Sequence, residues 1–290
     1  MELLHIFHHF FNPRLQMLKK SGFPSLIIIC LILFSTLLSC DHVTKWVAPF
    51  FISDKQEVEL GNKFKKEIVS DTENYPPFEG DERVVQFVDS LGQRLADLQK
   101  DRDTLKFTFT VIEDTSINAF AIPGGHVFVY TGLLKAADNM AEVAGVLAHE
   151  IGHITMYHGR DLLMQQSAFS FVETILFGDS TSIGEAVTSI LGNMLFLQFS
   201  QKNEFQADSC SVAYTTKAGV NPVGMKTFLQ ELRNRYGDEP KIFEPFSTHP
   251  PLSKRIEKVE ETIDKISGAS MGGSEKLFAD EYAAIKELLE

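Results

Sequence analysis

The chain has 290 residues, of which 44% are hydrophobic and 23% charged, and this composition excludes collagen-like, coiled-coil and wholly disordered proteins. Its 27 Lys and Arg residues against 39 Asp and Glu residues give a formal net charge of −12, which argues against nucleic-acid binding because such proteins need a basic face. The charge is unevenly placed: residues 1–39 carry Arg14, Lys19 and Lys20 against Glu2, a net +2, and the remainder carries −14. A basic start ahead of an acidic chain is typical of a targeting segment.

A short apolar segment follows these basic residues. Residues 26–38 form a run of about thirteen apolar or small residues, which is too short for a transmembrane helix and fits the core of a cleaved signal peptide. Residues 37–40, Leu-Leu-Ser-Cys, resemble a bacterial lipobox, whose cysteine is acylated and becomes the first mature residue. Two or three acyl chains together hold a protein stably on a bilayer. We therefore expect residues 1–39 to be a lipoprotein signal peptide and Cys40 to be lipidated; a short signal anchor with an incidental cysteine is the alternative.

The signal-peptide interpretation also predicts where translation starts and how the three cysteines are used. Residues 1–16 are long for the first part of a signal peptide, so we expect translation to begin at Met17, and a precursor peptide containing residues 1–16 would contradict this. Cys30 lies in the signal peptide, Cys40 is the expected lipidation site, and Cys210 is left without a cysteine to pair with. The sequence therefore predicts no intrachain disulfide.

The mature chain is long enough for one domain with its own core. We expect the lipidated cysteine and a tether in residues 40–55, one domain in residues 56–266, and a linker with a C-terminal helix in residues 267–290. At the start of the domain, apolar residues recur at helical spacing in residues 56–70 and 84–98.

Extended segments come next along the chain. Residues 106–111, KFTFTV, alternate strictly and predict a strand. Residues 118–130 predict two further extended pieces that are broken at Pro123-Gly124-Gly125.

The rest of the chain is predicted to be helical, in segments Ala141–Tyr157, Lys202–Lys217, Val223–Tyr236, Leu252–Ile266 and Glu275–Leu289. Residues 186–201 are uncharged, but they are too few and too often polar to span a membrane. We expect a buried helix there or one that covers a site, and contact with a membrane surface stays open. The predicted fold class is α+β and mostly helical.

Residues 149–153, His-Glu-Ile-Gly-His, form an H-E-x-x-H motif on one of these helices. At 100° per residue, His149 and His153 lie about 40° apart on one face and one turn apart, so both imidazoles can reach a single ion. Glu150 lies beside them, where a carboxylate can take a proton from the water at the metal. The motif arises by chance in a chain of this length at about the one-per-cent level. Core histidines with ordinary hydrogen-bond partners are the alternative.

Two histidines and a base need a third protein ligand. The metzincin spacing would place a Gly and a His where this chain has Met156 and Gly159, so that class is excluded. His158 is not a substitute, because it projects roughly 180° from His149 around the predicted helix.

Glu204 and Asp208 offer a third ligand and its support. They lie at i and i+4 on a predicted helix, so they share one face. Glu204 as ligand would complete a His₂Glu set with one position open for water, and Asp208 could accept a hydrogen bond from a ligand imidazole. Taken without the histidines, the pair would be read as a solvated helix face.

Four segments carry a resemblance to a known family: residues 118–134 with AFAIPGGHVFVYTGLL after Asn118, 149–153 with HEIGH, 204–208 with EFQAD, and 247–256 with STHPPLSKRI. The chain resembles the zinc metallopeptidases that include HtpX-type proteases, type I CAAX prenyl proteases, mitochondrial Oma-type proteases and bacterial periplasmic or lipoprotein relatives. The resemblance extends over nearly the whole mature domain. Since clear transmembrane spans are lacking, the chain is most similar to the lipoprotein branch.

The resemblance implies a zincin-like domain with a small β-sheet beside the H-E-x-x-H helix. It implies that His149, His153 and Glu204 bind one Zn²⁺ ion per chain and that Glu150 is the general base. Asp208 is expected to support a ligand histidine.

The resemblance also implies where a substrate binds. The strand around Asn118, Ala119, Phe120 and Ala121 is the expected edge on which a substrate backbone adds as another strand. His249, which precedes Pro-Pro, matches a histidine that lies close to the site and steadies the oxyanion; a turn residue ahead of a helix is the alternative.

The sequence thus leads to an expected function. We expect a zinc-dependent endopeptidase that is lipid-anchored in a bacterial cell envelope, faces the periplasm or exterior, and hydrolyses misfolded or misassembled envelope proteins. Its partners would be polypeptide substrates and the membrane, not nucleic acid. A chaperone-like envelope assembly factor with structural zinc and minor proteolysis is the alternative, and a cytoplasmic helical protein with an accidental motif is a third interpretation. Asp41 resembles an inner-membrane retention signal, but the choice between inner and outer membrane stays open.

Overall fold

The structure is a computed structural model that describes residues 52–99, 102, 105–165, 199–238, 251–266 and 277–290. These residues belong to one compact unit, Ile52–Glu290. Several expectations fall outside the described residues, namely the signal peptide, Cys40, the tether as far as residue 51, the helix over 186–198, His249 and the linker at 267–274.

Two amphipathic helices precede the sheet: α1, Asp54–Ser70, and α2, Glu82–Ala96. The Ser53 side chain caps α1 by accepting from the backbone N–H of Gln56, whose own side chain accepts from the Ser53 N–H, a reciprocal capping box. The Asp81 side chain caps α2 by accepting from the Arg83 N–H. Because of its cap, α1 begins inside the segment that the sequence predicted to be tether.

The sheet has three strands: β1, Thr108–Ile112; β2, Ala119–Ile122; and β3, His126–Tyr130. Their order is β1-β3-β2, with β1 parallel and β2 antiparallel to β3. Gly124 and Gly125 adopt φ values of +90° and +97° in the turn between β2 and β3, which glycine tolerates without steric cost. Because β3 lies between the other two strands, β2 lies at an edge of the sheet.

Side chains alternate between the two faces of the sheet, so each face packs against a different cluster. One face carries Phe128 and Ile122 and packs against the apolar stripe of α1. The opposite face carries Val127 and Val129 and packs against α2 and the helices that follow. The sheet therefore holds both helical layers in place.

Seven helices follow the sheet in the described part of the chain. They are α3, Thr131–Ala136; α4, Met140–Thr155; α5, His158–Gln165; α6, Gln201–Lys217; α7, Val223–Tyr236; α8, Leu252–Ile266; and α9, Ala279–Lys286, which continues as a 3₁₀ turn over Glu287–Leu289. Helix α4 is buried along almost its whole length and packs against α2, α6, α7 and β2.

The fold class predicted from the sequence, α+β and mostly helical with a small sheet beside the motif helix, is confirmed. One helix boundary differs in a way that matters: the predicted helix Ala141–Tyr157 ends at Thr155, because Tyr157 adopts a φ of +63°. Within the described ranges, no helix has both the length and the apolar character needed to cross a membrane. The proposed domain boundaries stay predictions.

A buried histidine at the start of β3 leads us to expect that the stability of the folded state depends on pH. His126 is 4% exposed, its Nδ1 lies 2.8 Å from Oγ1 of Thr108, and its Nε2 has no hydrogen-bond partner among the described residues. Burial, helped by the charge of Lys65, lowers the pKa of His126 to about 4. In the unfolded chain the pKa is about 6.5, so the unfolded state binds more protons as pH falls from 6.5 towards 4.

We therefore expect the folded state to lose roughly 2–3 kcal/mol through His126 between pH 7 and pH 4.5. Urea unfolding at the two pH values, on the parent and on His126→Phe, measures this loss. The variant should lose less stability on acidification than the parent by about that amount. Equal losses in the two proteins would show that His126 is not the titrating group.

Candidate metal centre

Helices α4 and α6 carry the motif residues and approach each other closely. A Cβ atom on Gly152 would lie 2.8 Å from Cβ of Cys210 and 3.2 Å from Cα of Ala207. About two turns earlier on α4, the backbone oxygen of Gly145 accepts a hydrogen bond of 2.7 Å from Oγ of Ser211. The glycine inside the H-E-x-x-H motif therefore lets the two helices meet at a distance that brings their polar side chains together.

Three of the predicted site residues converge at this contact. The Nε2 atoms of His149 and His153 are 3.1 Å apart. The carboxylate oxygens of Glu204 lie 3.6 Å from Nε2 of His149 and 3.4 Å from Nε2 of His153. All three side chains are buried, and one ligand atom from each lies within 4.8 Å of the other two. They are the one group of this kind within the described residues.

The geometry of these atoms fits a zinc ion. Two ligands that are each about 2.0–2.1 Å from a tetrahedral zinc ion lie roughly 3.3 Å apart. The two Nε2 atoms are 3.1 Å apart, Oε2 of Glu204 is 3.6 Å from His149, and Oε1 of Glu204 is 3.4 Å from His153, all close to that value. Two imidazoles and one carboxylate also make up the donor set of a catalytic zinc site that keeps a fourth position open.

His149 is oriented by Asp208, which lies one turn after Glu204 on α6. Nδ1 of His149 is 3.0 Å from Oδ1 of Asp208, and this contact turns Nε2 towards the other ligands. Burial and the charge of Arg255 lower the pKa of His149, but the hydrogen bonds to Asp208 and Glu204 outweigh them and raise the pKa to about 9. The structure thus places Asp208 where a hydrogen bond can fix the His149 tautomer.

Arg255 on α8 is a site residue that the sequence reasoning missed. Its guanidinium holds Asp208 with both arms, Nε to Oδ2 at 3.0 Å and Nη2 to Oδ1 at 2.6 Å, and its Nη1 lies 3.6 Å from Glu204. Burial raises the pKa of Asp208, but Arg255 and His149 outweigh it and hold the pKa below its ordinary value. The sequence did indicate that Arg255 is buried, because it falls on the apolar stripe of α8 between Leu252 and Ile256.

Glu150 lies on α4 beside the ligands and opposite β2. The backbone of Ala121 in that strand lies close enough to the carboxylate to lower its pKa slightly. Burial raises the pKa of Glu150 to about 7; the Glu204 carboxylate adds to the shift, and the charges of His149 and Arg255 oppose it. A carboxyl with such a pKa can both accept and release a proton near neutral pH.

The predicted substrate strand lies at the sheet edge beside Glu150. Asn118 pairs with β3 through its carbonyl, which accepts from the Tyr130 N–H at 3.0 Å, and Ala119 is buried. Phe120 and Ala121 are half-buried, and Phe120 stacks on Phe128 with ring centroids 4.9 Å apart. In the part of the chain that the structure describes, no further strand pairs with the outer edge of β2. Among those residues, the outer edge of β2 is therefore left without a strand partner.

Comparisons with known proteins agree with this geometry. The sequence matches the model of peptidase family M48 over residues 83–263. It is 27% identical over 239 residues to the beta-barrel assembly-enhancing protease of Escherichia coli (strain K12), a match that covers 78% of this chain and 48% of that protein. It is 33% identical over 159 residues to the mitochondrial metalloendopeptidase OMA1 of Schizosaccharomyces pombe, covering 55% of this chain and 47% of that protein.

A third relative is the putative beta-barrel assembly-enhancing protease of Vibrio cholerae, which is 30% identical over 220 residues and covers 72% of this chain and 44% of that protein. The chain therefore spans about half the length of the curated relatives it matches.

Proposed function

Because the chain belongs to peptidase family M48, we propose that it is a zinc-dependent endopeptidase that is lipid-anchored in a bacterial cell envelope and hydrolyses misfolded or misassembled envelope proteins. The observation that carries the proposal is the convergence of His149, His153 and Glu204, with Glu150 on the same helix beside an open strand edge. Two histidines and a carboxylate that leave one metal position open, with a second carboxylate as base beside them, match the arrangement of zinc peptidases.

The metal ligands would be His149, His153 and Glu204. A zinc ion held there would act as a Lewis acid that polarises the substrate carbonyl and lowers the pKa of water. The Glu150 carboxylate would then accept a proton from the attacking water and deliver it to the nitrogen of the leaving amine. Burial raises the pKa of the Glu150 carboxyl, so the group holds the proton more readily until the leaving amine takes it.

Substrate positioning would fall to β2. A polypeptide in extended conformation can add to the open edge of this strand through backbone hydrogen bonds, which suit substrates of varied sequence. Its scissile bond would then lie between β2 and α4, within reach of Glu150. His249 would help to hold the developing negative charge on the carbonyl oxygen; it lies outside the described residues.

Zinc content and casein cleavage of the purified protein, with and without a chelator, test the enzymatic part of the proposal. We expect about one zinc ion per chain, loss of cleavage when the chelator removes it, and recovery when zinc is added back, because the ligand atoms form one site. A protein that cleaves casein equally well after complete removal of its metal would refute the proposal.

The envelope location and substrate class rest on other observations. The lipobox-like residues 37–40 favour an anchor at Cys40, and two relatives are named as proteases that enhance beta-barrel assembly. Incorporation of labelled palmitate should be seen in cells that express the parent and should disappear in Cys40→Ser. Labelling that survives this substitution would reject the anchor.

The names of these relatives also favour the second candidate, an assembly factor in which zinc organises the fold and proteolysis is minor. The two functions share the zinc site. They differ in whether Glu150 is needed.

A further inference from the structure

The chain reverses sharply after the motif helix. Helix α4 ends at Thr155, Tyr157 adopts a left-handed φ of +63°, and α5 begins at once with His158. A non-glycine residue in this region is strained, and such residues persist only where the surrounding structure holds them. The reversal turns His158 back towards α4, whereas a continuous helix would have pointed it away from the ligands.

Two buried arginines hold the strained residue in place. The guanidinium carbons of Arg102 and Arg160 lie 4.0 and 3.9 Å from the centre of the Tyr157 ring. Glu57 on α1 pairs with Arg102 at 2.8 Å and lies 3.4 Å from Arg160. Arg102 also donates to the backbone oxygen of Ile154 at 2.9 Å, in the last turn of α4. The turn is therefore fixed by a cluster of buried charges around the Tyr157 ring.

This turn brings the imidazoles of His158 and His153 into contact. Nδ1 of His158 lies 3.0 Å from Nδ1 of His153, and Nε2 of His158 lies 3.2 Å from Oε1 of Gln206 on α6. His158 is 1% exposed, and Phe199 stacks on His153 at 4.0 Å between ring centroids. His158 thereby holds the His153 ring at Nδ1 and Phe199 covers one face of it, while Nε2 lies towards His149 and Glu204.

The proton positions along this path are mutually consistent. To bind a metal through Nε2, a neutral His153 must carry its proton on Nδ1, from which it donates to Nδ1 of His158. His158 then carries its proton on Nε2 and donates to the amide oxygen of Gln206. Each donor in the path meets an acceptor.

We propose that His158 is a positioning residue that fixes the tautomer and the ring orientation of His153 for metal binding. It is the neutral counterpart of Asp208, which performs the same task for His149 with a charged group. The inference rests on the proposed zinc site and adds an element to it, namely that the two ligand histidines are supported by unlike partners.

Zinc affinity, measured on the full chain by competition with a fluorescent chelator, tests this role without reference to proteolysis. His158→Phe keeps a ring of similar size but removes both nitrogens, and we expect it to weaken zinc binding by about 10- to 100-fold. His158→Asn places an amide oxygen close to the position of Nδ1, so it should recover most of that loss. Gln206→Leu should weaken binding less than His158→Phe, because it acts through His158.

His126→Phe is the matched control, since it makes the same replacement at a buried histidine that has no contact with the ligands; its zinc affinity should equal that of the parent. An affinity of His158→Phe equal to that of the parent, or a loss equal to that of His126→Phe, overturns the role of His158. If the parent itself binds no zinc, the proposed function fails instead.

If His158→Phe does not fold, nitrogen-15 NMR of the zinc-loaded parent decides. A proton on Nδ1 of His153 together with a proton on Nε2 of His158 supports the inference; a proton on Nδ1 of His158 overturns it, because that nitrogen could then not accept from His153.

Discussion

Glu150→Gln is expected to lower kcat for casein cleavage by about 10²–10⁴-fold while the protein keeps its zinc. The glutamine amide has nearly the shape of the carboxylate but cannot accept the proton of the attacking water or return it to the leaving amine. The three ligand side chains are untouched, so the metal content should stay that of the parent. Steady-state kinetics, together with zinc quantification on the same preparation, measures the effect.

Glu142→Gln provides the matched control for this prediction. Glu142 lies on the same helix, is buried, and also has a pKa raised by burial, but its carboxylate accepts from the Asp138 backbone N–H and the Thr227 hydroxyl at the other end of α4. We expect its cleavage rate per folded molecule to stay within about threefold of the parent, as befits a residue remote from the reacting atoms. Cleavage by zinc-loaded Glu150→Gln at the parent rate would exclude Glu150 as the general base.

The same variant separates the two candidate functions. In cells, a zinc-loaded Glu150→Gln protein that no longer cleaves casein should fail to replace the parent if peptide hydrolysis is the main function. If the variant fully replaces the parent in cells, the parent is still a peptidase in the test tube, but assembly without proteolysis is favoured as its main role. A Glu204→Gln variant, which removes a ligand, should fail under both functions and so serves as the negative reference.

The predictable part of the site was that set by local geometry. His149 and His153 share a face because a helix fixes their spacing, whatever the remainder of the fold does. Glu204 and Asp208 followed from the same rule, applied to a second helix. Helix periodicity and strand alternation likewise predicted the elements that carry them, since each pattern is contained within a few residues.

The parts that sequence reasoning missed depend on contacts between distant segments. The orientation predicted for His158 was wrong because the predicted helix continues through Tyr157, whereas α4 ends at Thr155. Nothing near Tyr157 in the sequence shows that Arg102 and Glu57, about fifty and a hundred residues earlier, stabilise a left-handed turn. Arg255 was missed because its partner Asp208 lies on another helix. Its position on an apolar stripe was the one local sign that a buried charge needed a partner.

Arg255→Met is expected to destabilise the protein by about 3–5 kcal/mol when measured without metal, because it leaves buried carboxylates without the cation that compensates them. Arg255 is 4% exposed, while Asp208 and Glu204 are completely buried. Zinc should restore part of the lost stability, since it places positive charge beside Glu204. Urea unfolding in chelator and in zinc measures both effects, and a loss below about 1 kcal/mol in chelator would show that the ion pair contributes little.

The companion substitution Asp208→Asn distinguishes an uncompensated charge from lost packing. If charge is the cause, the double variant Arg255→Met with Asp208→Asn should be more stable than Arg255→Met alone, because the neutral amide removes the buried negative charge that the methionine leaves behind. Zinc affinity of the double variant should nevertheless stay below that of the parent, since His149 then lacks the carboxylate that orients it. Additive losses of stability would instead indicate that Arg255 acts mainly by filling space between α6 and α8.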